Sequence, residues 1–231
     1  MRKKNLVLPL LLSFFLFAGC EGAPPEIADT FVQITVFKNL RTLQSEEILS
    51  LFLIVQDDDG DDDLEAIYLL NDKQELFWKL DALNWEKTDR KGSRWVGSSS
   101  IQMPDGSAFP RGKYRVIASD QAGDRDEKEI QINIPGIDLS KFVFPELSIS
   151  DKTASVVNRG ENEKFLYFNS SDRFLDFRFV PDEPLTVDNF PRVNDLRSET
   201  NNKLYLYHFE SEEGYGVLTG PYYRVYERLT E

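Results

Sequence analysis

Ile48-Leu49-Ser50-Leu51-Phe52-Leu53-Ile54-Val55-Gln56 runs into the turn Asp57-Asp58-Asp59-Gly60-Asp61-Asp62-Asp63, and the chain resumes as Leu64-Glu65-Ala66-Ile67-Tyr68-Leu69-Leu70. Nine nearly continuous apolar residues fit a short buried helix or a buried strand. The acid-glycine turn behind them and the β-branched and aromatic content decide for a strand. Two strands joined by a polar turn set the pattern for what surrounds them. Upstream, Phe31 to Phe37 reads as a strand; downstream, Glu75 to Leu80, Trp95 to Met103 and Glu129 to Ile134 do too, and the segment Pro110 to Asp124 holds another with its closing turn. Asp81 to Arg94 is a longer polar connection whose Leu83 and Trp85 fold back on the sheet edge. Pro104-Asp105-Gly106 supplies the preset and the positive φ that a tight turn needs.

About seven strands within residues 30–135, separated by turns, are the number expected of one β-sandwich. Pro110-Arg111-Gly112-Lys113-Tyr114, and the turn Asp120-Gln121-Ala122-Gly123 that closes the strand, resemble the late strand and following turn of bacterial immunoglobulin-like and fibronectin-type domains. The resemblance implies that Tyr114 acts as a corner tyrosine, its hydroxyl bonded back to the upstream backbone.

The composition changes after Pro135-Gly136. Residues 137–231 contain no Trp but nine Phe and seven Tyr. Strands are expected over Lys152 to Val157, Lys164 to Asn169, Arg173 to Val180, Lys203 to Phe209, Gly214 to Thr219 and Tyr222 to Leu229. Alternation is clean in the third, where Leu175, Phe177 and Phe179 share one face. Residues 136–231 therefore read as a second, smaller, aromatic-rich β domain, with the boundary between Pro135 and Ser150. Pro181 to Asn202 is longer than an ordinary loop and holds a short helix or serves as a binding loop. The fold class is all-β.

The address is written at the start. Arg2, Lys3 and Lys4 precede an uncharged run from Leu6 to Ala18, and small residues stand before Cys20. Thirteen residues interrupted by Pro9 are too few for a spanning helix and have the layout of an export signal. Leu16-Phe17-Ala18-Gly19-Cys20 resembles the lipobox of bacterial lipoproteins, with Phe17 where that family usually has Leu. The resemblance implies cleavage of residues 1–19 and lipidation of Cys20, with palmitate among the acyl chains such anchors carry. Cys20 is the only cysteine, so it closes no intramolecular disulfide. Residues 20–29, with Pro24-Pro25, read as a tether. The expected location is the cell envelope, on the periplasmic or surface face of a bacterial membrane.

Charge narrows the partners. Removing residues 1–19 takes away three basic and no acidic residues, moving the formal net charge from −13 to −16. Phosphate backbones and anionic headgroups repel such a surface, so nucleic acid is not an expected partner and the lipid must hold the protein on its membrane.

Catalytic constellations are thin. His208 is the sole histidine, lies on the face of Leu204 and Leu206, and reads as a half-buried packing residue. With no second histidine and no nucleophile elbow, the chain is expected not to be an enzyme; a small envelope enzyme acting on glycans through two carboxylates is the alternative. The acidic turn is not an EF-hand, since placing Gly60 sixth puts Val55 first and Ala66 twelfth. In a sandwich, however, it shares a pole with the turn that carries Asp120, Asp124 and Asp126. Asp57, Asp59, Asp61, Asp63, Asp120 and Asp124 are thus candidate calcium ligands, as in a calcium-stabilised, adhesin-like surface protein. A merely solvated turn is the commoner use of such a run. Tyr222, Arg224, Tyr226 and Arg228 fall on one alternating face, and Tyr with Arg is the enriched combination at interfaces. They are the candidate contact residues for an envelope protein or a glycan. The overall expectation is a lipid-anchored envelope protein working as a non-catalytic binding or structural module.

Overall fold

The computed structural model describes residues 23–57, 63–169, 174–186, 188, 190, 202–225 and 228. Eight strands form the first half: Glu26–Asn39 (β1), Gln44–Gln56 (β2), Leu64–Asn71 (β3), Leu76–Leu80 (β4), Glu86–Arg90 (β5), Ser93–Gln102 (β6), Gly112–Asp120 (β7) and Arg125–Ile132 (β8). They lie as β1-β2-β6-β5 facing β4-β3-β7-β8. That is the ABED and C′CFG strand order of an immunoglobulin-like sandwich. The strand opened by Ile48 behaves as its sequence demands: Leu49, Leu51 and Leu53 point into the core while Ile48, Ser50, Phe52 and Ile54 alternate outward. Across the core they meet Ile67, Leu69, Val116 and Ala118 of the facing sheet. Tyr114 is 1% exposed and its hydroxyl donates to Pro110 O at 2.8 Å, four residues upstream.

The second half supplies Glu146–Ser150 (β9), Thr153–Val157 (β10), Lys164–Phe168 (β11), Phe174–Phe179 (β12), Leu185–Thr186 (β13), Lys203–Glu210 (β14) and Tyr215–Tyr223 (β15). The three strands β13-β10-β9 pack on β11 and β14, burying Leu147, Ala154 and Leu185 against Phe165, Tyr167 and Leu206.

The halves share a sheet. β1 pairs antiparallel with β2 over its whole length, and its last five residues also pair parallel with β15, from Thr35 opposite Gly216 to Asn39 opposite Gly220. One eight-stranded sheet, β12-β11-β14-β15-β1-β2-β6-β5, therefore runs through both halves. Residues 30–135 and 136–231 keep separate apolar clusters, and a third cluster of Val36, Phe144, Tyr215 and Val217 fills the junction. An ion pair ties the same place. Glu47, whose side chain has no exposure, accepts from both terminal nitrogens of Arg111 at 2.8 and 2.6 Å, and Arg111 donates onward to Ile134 O and Pro135 O.

Several boundaries differ from the sequence reading. The tether is shorter, because β1 begins at Glu26 and takes its residues into pairing with the end of β2. β5 lies inside the expected polar connection 81–94; all five of its residues are exposed at the sheet end, so no apolar alternation announces it. β9 falls in the supposed boundary segment and β13 in the long irregular stretch. Tyr222 to Leu229 is not a strand of its own: Tyr222 and Tyr223 end β15, and Arg224 leaves the sheet at φ 51°.

Candidate functional site

Both smaller sheets sit on one face of the eight-stranded sheet. On the other face no described strand layer lies. The cross-strand register draws a row there: Glu46, Phe37, Leu218, Tyr207, Lys164 and Phe179, one residue from each of six neighbouring strands. Beside it run Phe209 next to Gly216, Leu166 next to Phe177, and Phe52 next to Phe31. Phe31, Phe177, Phe179 and Phe209 are 44, 45, 59 and 41% exposed, which is unusual for rings that could have been buried. The rings meet edge to face rather than lying flat, with Phe177 and Phe179 at 82° and Phe168 and Tyr205 at 75°. Lys164 Nζ stands 5.5 to 5.9 Å from the centroids of Phe179, Phe177 and Tyr207 and is held by their π-faces. Gly216 matters to this surface: a Cβ there would meet Thr35 Oγ1 at 2.8 Å and Gln33 Nε2 at 2.9 Å. Its absence lets the Gln33 amide reach over β15 to the Tyr207 hydroxyl at 3.1 Å. β12, which carries Phe179, the most exposed ring of this face, is the outermost strand of the sheet.

Among the expected contact residues at the C-terminus, Tyr222 is a correction. Tyr222 belongs to the second core, and its hydroxyl accepts from Leu147 N at 3.0 Å; burial pushes its pKa up to about 12, against the lowering effect of that bond. It lies inward because it continues β15 against β14 instead of opening a new strand. Arg224 sits on the bend, Arg228 is exposed, and Tyr226 lies outside the described residues.

At the pole where β2 ends and β3 begins, Asp57, Asp63 and Asp120 converge, each offering a carboxylate oxygen within 4.8 Å of the others. Asp120 closes β7, opposite Leu64, and is fully buried. Its own turn holds it: Asp120 N donates to Asp124 O, Gly123 N to Asp120 O, and Asp124 N to Asp120 Oδ1 at 2.8 Å. Gly123 takes φ +91°, which that turn requires of it. A strand-to-strand tie, Gln121 N to Asp63 O, brings the two turns together. Asp124 is exposed and contributes backbone rather than carboxylate, so it does not join the group. Asp59 and Asp61 lie outside the described residues.

His208 is not half-buried but 4% exposed, between two carboxylates. Its Nδ1 is 2.8 Å from Glu163 Oε2 and its Nε2 3.0 Å from Glu210 Oε1. Glu163 is fully buried and also accepts from Gly160 N at 3.0 Å. Burial opposes protonation of the ring, but the hydrogen bond and charge of Glu163, reinforced by Glu210, outweigh it and raise the histidine pKa above its ordinary 6.5. The sequence could not pair these residues, which are 45 positions apart. Beside them Arg159, Glu161, Asn162 and Asp182 line an open groove of about 500 Å³.

No family model matches the chain, and neither the curated proteins nor the solved structures contain a match to it. Cys20 lies outside the described residues, among which no helix is long and apolar enough to cross a membrane.

Proposed function

We propose that this chain is a lipid-anchored protein of the bacterial cell envelope that acts by non-covalent binding, and that its binding surface is the outward aromatic face of the long sheet. One observation carries the reading: four large rings, those of Phe31, Phe177, Phe179 and Phe209, exposed on the same face of one sheet that is continuous across both halves. Exposed apolar patches of this kind mark interaction surfaces, and an outermost strand bearing exposed rings is a liability for any protein that does not cover it. The occupant is an apolar surface of another envelope protein. Sugar rings call for flat aromatic platforms and convergent donors, whereas these rings stand edge to face and the Gln33 amide is engaged with Tyr207. Anionic lipid is disfavoured by the charge of −16 left once the three basic residues of the leader are removed from the chain's −13.

Two experiments test it. Cys20→Ala should leave the chain unprocessed or released from the membrane fraction; equal membrane retention of that variant refutes the lipid anchor. A photo-crosslinking residue at Phe179 in cells making the full chain should give a discrete adduct with a different protein, lost when Phe177 and Phe209 become Ser. The same probe at Leu83, which is 95% exposed in the connection between β4 and β5, should give none. An adduct only between two copies of the chain, or none at all, overturns the reading.

A further inference from the structure

Asp120 is fully buried, yet its Oδ2 has no hydrogen-bond partner among the described residues. A buried carboxylate oxygen left this way is costly, because desolvation is not repaid by any donor. Its other oxygen is fixed by Asp124 N, so the orphan oxygen is aimed rather than free to turn. The carboxylate it belongs to lies with two more, those of Asp57 and Asp63, each offering an oxygen within 4.8 Å of the others. Three negative groups within 4.8 Å repel one another, and each neighbour raises the cost of the buried one. A solvated turn does not account for this, since solvated acids point outward.

We propose that Asp57, Asp63 and Asp120 hold a hard divalent cation, calcium by its chemistry, at this pole of the sandwich. Calcium takes oxygen ligands at 2.3–2.6 Å, so two ligands on opposite sides of one ion are about 4.6–5.2 Å apart. Oxygens all within 4.8 Å of one another fit that span. All three donors are carboxylates, which excludes softer metals as the preferred occupant, and they come from the two ends of one turn and the end of a strand, the irregular arrangement calcium accepts and magnesium's strict octahedron does not.

The ion would act as a clasp. Asp57 follows β2, Asp63 precedes β3 and Asp120 ends β7, so a shared cation joins the two sheets of the sandwich at one end. The same pole receives the start of β1: Glu26 pairs with Gln56, and Ile27 N donates to Asp126 Oδ2 at 2.8 Å. Glu26 is six residues beyond Cys20, a reach of at most ~22 Å. With the lipid at Cys20 this is the pole that faces the membrane, where pull on the anchor is transmitted to β1. The cation site itself stands independently of the anchor and of the aromatic face.

Equilibrium dialysis of the full mature chain, in a non-ionic detergent and with radiolabelled calcium, should find one ion per chain. Extracellular calcium modules bind at about 0.1–1 mM, and that is the affinity expected. Removing one of three charged ligands in Asp63→Asn should weaken it at least ~10-fold, since charge count sets affinity in such sites. Asp120→Asn should do the same while keeping the acceptor for Asp124 N. Asp124→Asn, whose carboxylate is outside the group, should bind as the parent does. Melting curves in calcium and in chelator, at ionic strength matched with sodium chloride, should separate for the parent and coincide for Asp63→Asn. Three results overturn the proposal: no bound calcium, equal binding in Asp63→Asn and the parent, or equal loss in Asp63→Asn and Asp124→Asn, which reports diffuse screening. Magnesium matching calcium in affinity overturns the assignment of the ion.

Discussion

Replacing His208 by Ala isolates a negative charge where water cannot reach it. Glu163 is fully buried; of its two oxygens, Oε2 keeps the Gly160 N–H and loses the imidazole, while Oε1 has no hydrogen-bond partner among the described residues even in the parent. Breaking a buried pair by deleting one partner costs about 3–5 kcal/mol, chiefly because the other charge is left uncompensated. For a unit of this size that lowers the melting temperature by roughly 2–4 °C per kcal/mol, or about 6–20 °C. Changing both residues to Leu should cost less than the single change, because no charge is stranded, though the Gly160 N–H then lacks its acceptor at about 1–3 kcal/mol. The sign of the pH dependence follows from the raised histidine pKa. A group whose folded pKa lies above its unfolded value contributes stability that is fully present below 6.5 and is lost as pH rises through the folded value. The stability of the parent against chemical denaturation should therefore fall as pH rises above 6.5, and the slope there should flatten in the variant. A His208→Ala chain within about 1 kcal/mol of the parent, with the same pH slope, would falsify the buried ion pair.

Gly160→Ala should disturb the same place from the other side, since a Cβ would come within 2.3 Å of the His208 ring; it should reproduce the altered pH slope, and an unchanged profile would show that the ring moves aside without cost. Arg111→Lys keeps the charge but not the two-pronged contact with Glu47 or the reach to Pro135 O, and a loss of about 1–3 kcal/mol in urea unfolding is expected. Tyr114→Phe removes one buried hydrogen bond to Pro110 O and should cost about 0.5–1.5 kcal/mol by the same measurement, with no change in the fold by circular dichroism. Proteolytic nicking in the exposed turn Asp138 to Lys141 should leave two fragments that elute together until denatured, because β1 and β15 remain paired; separate elution would contradict the shared sheet.

Where a residue's fate depends on its neighbours in sequence, the chain could be read directly. The Ile48 to Gln56 strand, its turn and Leu64 to Leu70 are dictated by period-two burial and turn chemistry, which act over a few residues. Tyr114 and the Asp120 turn are likewise local, and the three acids of the pole converge because sandwich topology carries both turns to one end. What the sequence could not tell was which strands would meet across long separations. That β1 pairs with β15, some 180 positions away, depends on both presenting compatible free edges after everything else has packed, and no local signal encodes it. The same pairing decides that the two halves share a sheet, and hence that Phe31, Phe177, Phe179 and Phe209 stand on one face that no described strand layer covers, instead of filling separate cores. Tyr222 was drawn inward, and His208 to Glu163, by the same process: the alternation of a strand fixes which residues share a side, but only the layers that finally pack against it decide which side is the inside.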